Sequence, residues 1–290
     1  MELVKIFDKK IIGYKKSIKE IKMIEGKMDE KLFNTRFFPE YFKNKINKIW
    51  LKKYKIQNHN VYLYTNNLNY DFNNILNIIS IFYYLFREYN WKEQNFYLFP
   101  FNDKKKLNGN CINELNINSA VTTIYFNQVG GPIIIYRKEE IEKVLIHELL
   151  HSFHYDLWSP KYNSCNHFGK KCKNNVYSEG FVEANAQILQ LLFYNYLNPN
   201  KINIEKELKK ELIHSYKNAC IIVHKVGCQT TSAISYFVNK YIILNDIING
   251  NLNLFVLFNP KVPNYIIKKY NFPKIDVGNN YYIKMARFSW

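Results

Sequence analysis

The sequence His-Glu-Leu-Leu-His at residues 147–151 combines two metal-binding imidazoles with a carboxylate. On a helix, His147 and His151 share one face about 6 Å apart along the axis, so both can bind one ion. Glu148 follows the first imidazole and can serve as general base for a water at an open position of the metal. Zinc lowers the pKa of such a water to about 7. The spacing therefore predicts a hydrolytic zinc site.

A catalytic zinc ion needs a third protein ligand. His154 stands about 10 Å along the helix axis from His147, which is too far for one ion. The metzincin pattern HExxHxxGxxH also fails, because the chain lacks its Gly and its third His. The better candidates are Glu179 and Glu183, which lie four residues apart in a helical segment that is otherwise mostly apolar. Two carboxylates on one face of a mostly apolar helix require groups that compensate their charge, and zinc and a zinc-bound imidazole are suitable groups.

HELLH followed by Glu-Gly-Phe-Val-Glu at residues 179–183 resembles the gluzincin metallopeptidases. The resemblance implies that His147, His151 and Glu179 bind zinc and that Glu148 is the catalytic base. It also implies that Glu183 orients the imidazole of His147 from the second shell, although aspartate is the commoner acid there. Glu-Gly-Phe is similar to the third-ligand stretch of the aminopeptidase branch. The same pairing resembles uncharacterised metallopeptidase-like proteins of large DNA viruses, which would suit a chain rich in Lys, Asn, Ile and Tyr.

Amide hydrolysis also requires a hydrogen-bond donor for the oxyanion of the tetrahedral intermediate. Tyr236 is the first candidate, because it lies on a predicted helix that also carries Lys240. His224, just before Gly227, is the second candidate. The chain has 24 tyrosines, most of which serve packing, so the identity of the donor stays open.

The order of elements predicts an α+β fold. Hydrophobic periodicity and turn residues favour strands near 61–65, 95–101, 120–127 and 132–137, and helices near 71–89, 138–155, 178–197, 201–225 and 230–248. The resemblance implies a zincin-like fold, with a small mixed twisted sheet and the HExxH helix in an N-terminal lobe and a mainly helical C-terminal lobe. Pro132 predicts that strand 132–137 is an edge strand. In the family such a strand lines the cleft and pairs with extended substrate.

We divide the chain at the sequence level into three segments. Residues 1–57 are predicted to be a helical, basic N-terminal cap whose role stays open. Residues 58–156 carry the N-terminal lobe with the sheet and the HExxH helix. Residues 157–290 carry the mainly helical C-terminal lobe with the third ligand. No composition shift marks a linker between them.

The formal charge is +17, from 41 Lys and Arg against 24 Asp and Glu. The basic residues are scattered and no nucleic-acid motif accompanies them, so a nucleic-acid partner has no support beyond charge. The sequence shows neither a signal peptide nor a membrane span, and its five cysteines are too few for a disulfide scaffold. We therefore expect an intracellular protein, cytoplasmic or virion-associated.

Cys165, His167 and Cys172 stand between the two predicted metal helices. Their spacing matches no standard zinc finger, and it favours a loop with reduced cysteines over a second metal site.

The leading hypothesis is a zinc-dependent metallopeptidase that acts on a peptide or protein through a water activated by Glu148. The alternative is a catalytically inactive zincin-fold protein that binds a partner with its basic surface or serves a structural role. A third hypothesis is a metal-free helical protein with a chance HExxH. Substrate sequence, endo- or exopeptidase action and oligomeric state stay open.

Overall fold

The chain is a mixed α+β protein, as the sequence predicts. The computed structural model describes residues 2–21, 50–65, 67, 69–89, 91–108, 111–112, 118–123, 130–158, 177–225, 228–229, 233–250, 273–274, 280–282 and 285–288. These residues contain six α-helices: α1 (Glu2–Ile11), α2 (Asn73–Leu85), α3 (Ile141–Ser152), α4 (Tyr177–Leu197), α5 (Ile204–Lys225) and α6 (Lys240–Ile248). A 3-10 turn covers Tyr155–Trp158, and a π-helical turn covers Ser235–Asn239.

The strands are β1 (Ile18–Ile21), β2 (Trp50–Ile56), β3 (His59–Thr65), β4 (Asn95–Leu98), β5 (Lys106–Asn108), β6 (Cys111–Ile112), β7 (Ala120–Thr122), β8 (Ile133–Ile135), β9 (Cys228–Gln229) and β10 (Asn280–Tyr282). Six of them form one mixed sheet in the order β1-β2-β3-β4-β8-β7. β3, β4 and β8 run parallel, and the other neighbours are antiparallel. α2 makes the crossover that the parallel pair β3–β4 needs.

The prediction that strand 132–137 lies at the edge of the sheet is wrong. β8 lies inside the sheet, parallel to β4 on one side and antiparallel to β7 on the other, and β7 ends the described sheet. All three residues of β8 are buried isoleucines, which is typical of an internal strand. Pro132 precedes the strand, so its lack of an N–H group removes no hydrogen bond between strands. Its carbonyl accepts a hydrogen bond from the backbone N–H of Thr123 at 3.1 Å.

The helical prediction for residues 1–57 is also wrong in part. α1 is helical, but β1 and β2 form an antiparallel pair at the other end of the sheet. β2 continues into β3 through a tight hairpin that pairs Ile56 with His59. The turn residue Gln57 has a φ of 53°, in the left-handed region. The hairpin carries no Gly or Asn-Gly signal at its first turn position, which explains why the sequence pattern missed it.

Contacts divide the chain into two compact units. The sheet unit comprises Phe7–Lys104 and Asn118–His154, and it contains the six-stranded sheet with α2 and α3. The helical unit comprises Met1–Ile6, Lys105–Ile117 and Tyr155–Trp290, and it contains α4, α5 and α6 with two small two-stranded sheets, β10–β5 and β6–β9. The division into segments 1–57, 58–156 and 157–290 stays a prediction.

The core of the sheet unit is built from the apolar faces of α2, α3 and the central strands. Ile78, Ile79, Phe96, Leu98 and Leu149 are among its fully buried residues. In the helical unit, α4 is buried continuously from Gly180 to Phe193. Across the part of the chain that the structure describes, no helix combines the length and the apolar character needed to span a membrane.

Candidate metal centre

The helix that carries the HExxH sequence is α3, and it is held firmly in the sheet unit. Every residue of α3 except Glu142 is buried. At its C-terminal end, the Gln94 side chain donates to the Ser152 hydroxyl at 2.6 Å. Phe153, the next residue, packs its ring on Trp91 with centroids 5.3 Å apart. Packing along the helix and anchoring at its end together fix the direction of the histidine side chains.

His147 and His151 point their Nε2 atoms toward one place. These two atoms lie 2.8 Å apart, and the ring planes make an angle of 73°. Two nitrogens bound at ~2.0–2.1 Å to one tetrahedral ion lie about 3.3 Å apart, so the observed separation is within roughly half an ångström of a chelating pair. Both side chains are nearly buried, with relative exposures of 7% and 9%. The pair is therefore arranged as two ligands of one ion.

Glu148 is hydrogen bonded to a residue of the sheet. Its Oε2 accepts a hydrogen bond from Thr122 Oγ1 at 2.5 Å, and its backbone carbonyl lies 3.3 Å from the same hydroxyl. Thr122 is the last residue of β7 and is half-buried. Thr122 is a residue of the site that the sequence does not reveal, because nothing in the local pattern links residues so far apart along the chain.

Glu179 supplies the third candidate ligand. It lies in the first turn of α4, where the helix dipole favours a carboxylate. One ligand atom from each of His147, His151 and Glu179 lies within 4.8 Å of the other two. Among the described residues this is the one such group of three His, Cys, Asp or Glu side chains. Two imidazoles and one carboxylate form a donor set that occurs in catalytic zinc sites and in non-haem iron(II) sites, whereas magnesium and calcium prefer oxygen ligands.

Gly180, next to Glu179, allows α4 to approach the π-helical turn Ser235–Asn239. A Cβ atom on Gly180 would overlap the Cβ of Asn239 and would lie 2.9 Å from the carbonyl oxygen of Ser235. The glycine is therefore required by close approach, not by an unusual φ. Single-turn π-helical insertions are frequent at functional sites. This contact sets the start of α4, and with it the position of the Glu179 backbone.

Glu183 lies one turn further along α4 and is fully buried. Its Oε1 is 4.0 Å from Nζ of Lys240, which donates to Glu211 Oε1 at 3.0 Å and also to the carbonyl of Met285. The three charged side chains are all no more than 1% exposed. The predictions from the sequence include Lys240 only as a neighbour of Tyr236 and do not include Glu211. A lysine in the apolar run 233–248 is a signal that could have found them, since a buried ammonium requires acidic partners. The role of Glu183 in orienting His147 stays a prediction.

Three of the remaining candidate residues lie in the part of the chain that the structure describes. Tyr236 lies in the π-helical turn and is half-buried, whereas His224 lies near the end of α5 and is exposed. His154 follows α3 with a φ of 59°, outside the helix that carries His147. Cys165, His167 and Cys172 lie outside the described residues.

Comparisons with family models, with curated proteins and with solved structures found no match to this chain. The case for any function therefore rests on the chemistry of the residues described above.

Proposed function

We propose that this protein is a zinc-dependent metallopeptidase of the gluzincin type, with His147, His151 and Glu179 as its zinc ligands. The observation that carries the proposal is the convergence of their ligand atoms within 4.8 Å. The donor set fits zinc, and the near-burial of the two histidines would shield the ion from bulk water. The mixed sheet with α3 packed on it is compatible with a zincin-like fold.

In this proposal Glu148 moves the proton. When bound, zinc lowers the pKa of a water and polarises the scissile carbonyl. Glu148, adjacent to the first ligand, accepts the proton of the attacking water and donates it to the leaving amine. Its 8% exposure means that few competing waters surround the carboxylate. Tyr236, the proposed oxyanion donor, offers a phenolic O–H from the π-helical turn.

The substrate of the proposed enzyme is a peptide in extended conformation. Because β7 ends the described sheet, its free side is the one on which an extended backbone can add as a further strand. In this proposal β7 takes the role of pairing with the substrate backbone, which the sequence predicts for strand 132–137.

The test is metal analysis combined with digestion of a broad peptide library. The purified chain should bind one zinc ion per molecule and cleave peptides. Glu148→Gln should lower turnover at least about 100-fold and keep the zinc, because it removes the base and leaves the ligands. Glu142→Gln is the matched control, since it makes the same change on the same helix at a position outside the buried face.

Two outcomes would replace the proposal with an alternative. Stoichiometric zinc without cleavage of any peptide would indicate a binding or structural protein, for which the +17 charge suggests an acidic partner. The proposed zinc peptidase activity would be refuted if the chain bound no zinc or if the Glu148→Gln variant were as active as wild type.

A further inference from the structure

Thr122 and Glu148 form a contact that joins the last strand of the sheet to the HExxH helix. β7 is antiparallel to β8, with Thr122 opposite Ile133, and this pairing fixes the height of Thr122 along α3. Both residues belong to the sheet unit. In the part of the chain that the structure describes, Thr122 is the one side chain that hydrogen bonds to the Glu148 carboxylate.

The hydroxyl of Thr122 has one proton and two acceptors within reach. The carboxylate Oε2 is at 2.5 Å, whereas the backbone carbonyl is at 3.3 Å. Separations of 2.5–2.7 Å are typical of strong O–H···O⁻ hydrogen bonds to a charged acceptor. The proton is therefore donated to Oε2, and the carbonyl stays available for the backbone hydrogen bond of the helix.

A glutamate side chain has three rotatable bonds, so without a partner its carboxylate samples several positions. Proton transfer requires the base to stay within hydrogen-bond reach of the reacting proton. The bond to Thr122 restricts the carboxylate to one position and occupies Oε2, which leaves Oε1 to exchange protons.

We propose that Thr122 is a positioning residue that holds the carboxylate of Glu148 in place for proton transfer. The inference rests on the proposed peptidase function, because it assigns Thr122 a role in the same site. Thr122 acts through Glu148 and has no part in binding the metal.

The test compares Thr122→Val, Thr122→Ser and wild type in the zinc-loaded 290-residue chain. Valine keeps the β-branched shape that suits a strand and removes the donor, whereas serine keeps the donor. We expect Thr122→Val to lower kcat about 10- to 100-fold, with KM and zinc content unchanged, because misplacing a catalytic group by about 1 Å can cost 100-fold. Thr122→Ser should recover most of kcat. Thr123→Val, at the neighbouring exposed position, is the matched control and should match wild type.

A purely structural role predicts a different pattern. Loss of packing would lower the melting temperature or the zinc content together with activity, and serine would not restore them. If Thr122→Val folds poorly, Thr122→Ala is measured in the same way. A double variant gives a further check: Thr122→Val should add almost nothing to Glu148→Gln if it acts through that carboxylate.

A second measurement separates this inference from the proposed function. Acetohydroxamate must lose a proton to bind zinc through both oxygen atoms. In the proposed site Glu148 would accept that proton, so the affinity of the hydroxamate reports the position of Glu148 without turnover. We expect Thr122→Val to weaken hydroxamate binding about 10-fold and Thr122→Ser to leave it near wild type. A wild-type chain that binds zinc and acetohydroxamate but cleaves nothing would refute the peptidase while leaving this role intact. Equal kcat for Thr122→Val and wild type would overturn the role of Thr122. If the chain has no activity, equal affinity of the two proteins for acetohydroxamate would overturn it. The role would also be overturned if the chain bound no zinc.

Discussion

The Nε2 atoms of His147 and His151 lie 2.8 Å apart in α3, with a full turn of helix between the two residues. At this distance one neutral imidazole can donate an N–H···N hydrogen bond to the other when the two rings carry different tautomers. A cation between the rings would instead bind the lone pairs of both Nε2 atoms.

Replacing one of these histidines should therefore remove the metal. We expect His151→Ala to weaken zinc binding by more than about 100-fold, since loss of an outer-shell partner alone costs about 10- to 100-fold. Competition with a chromogenic chelator measures the affinity, and elemental analysis gives the stoichiometry.

His154 provides the control for that experiment. It lies just beyond α3 with a φ of 59°, a conformation that asparagine tolerates. His154→Asn should keep wild-type zinc affinity. If both variants lost zinc equally, the ligand assignment would be wrong.

Gly180→Ala should destabilise the protein, although alanine is the better helix former. The added methyl would overlap the Cβ of Asn239 and approach the Ser235 carbonyl oxygen. Overpacking of this kind costs about 1–3 kcal/mol, and helix propensity returns up to about 1 kcal/mol. Urea unfolding should show the net loss, and zinc affinity should fall because Glu179 is the preceding residue. An unchanged or higher stability would show that α4 shifts to accept the methyl group.

Lys240→Met should be strongly destabilising. The lysine is 3.0 Å from Glu211 and 4.0 Å from Glu183, and all three side chains are buried. The substitution removes the positive charge beside two buried carboxylates, and although Glu211 Oε2 still accepts a hydrogen bond from the backbone N–H of Arg287 at 2.8 Å, breaking a buried ion pair costs about 3–5 kcal/mol. Urea unfolding of the metal-free chain measures the effect, and Glu211→Gln in the same chain should restore part of it.

The chain offers a matched exposed pair. Lys209 and Glu205 lie 2.9 Å apart on α5, but their side chains are 62% and 63% exposed. Lys209→Met should change stability by less than about 1 kcal/mol, because exposed ion pairs contribute little. Similar losses at Lys240 and Lys209 would contradict the explanation from burial.

His59 should make stability fall in acid. Its side chain is 1% exposed, its Nδ1 accepts a hydrogen bond from the backbone N–H of Gln94 at 3.2 Å, and its ring stacks on that of Tyr83 with centroids 3.6 Å apart. Burial lowers the pKa of His59 from 6.5 to about 4, so the unfolded chain takes up the proton first. The contribution of neutral His59 to the free energy of unfolding is fully present above about pH 6.5 and is lost as the pH falls toward 4. The loss is about 1.4 kcal/mol per pH unit and about 3 kcal/mol in total.

Urea unfolding between pH 4 and 7 tests this expectation by comparing wild type with His59→Asn. The asparagine oxygen can accept the Gln94 hydrogen bond but does not titrate. The variant should therefore lose less stability in acid than wild type. Parallel curves for the two chains would show that His59 is not the group responsible.

Much of the local structure could be predicted from the sequence. The α+β class is confirmed, and a helix predicted near 178–197 is observed at Tyr177–Leu197. Helical periodicity depends on residues three and four apart, so one segment of sequence is enough to predict it. The order of strands in the sheet is not local, and that is where the edge-strand prediction for β8 is wrong. A buried parallel strand and a short edge strand can both be runs of β-branched residues, and only their neighbours distinguish them.

The spacing of His147 and His151 already determines that they share a helix face, because the helical repeat allows nothing else for residues four apart. The sequence also shows which downstream acids can serve as a third ligand, and Glu179 is one of the three residues whose ligand atoms converge. Only the tertiary structure decides which side chains support these groups. The Thr122 hydroxyl reaches Glu148 through the pairing of β7 with β8, and Lys240 reaches Glu183 through the packing of α4 on the segment before α6. Such contacts depend on the packing of a whole unit, and no local pattern of residues encodes them.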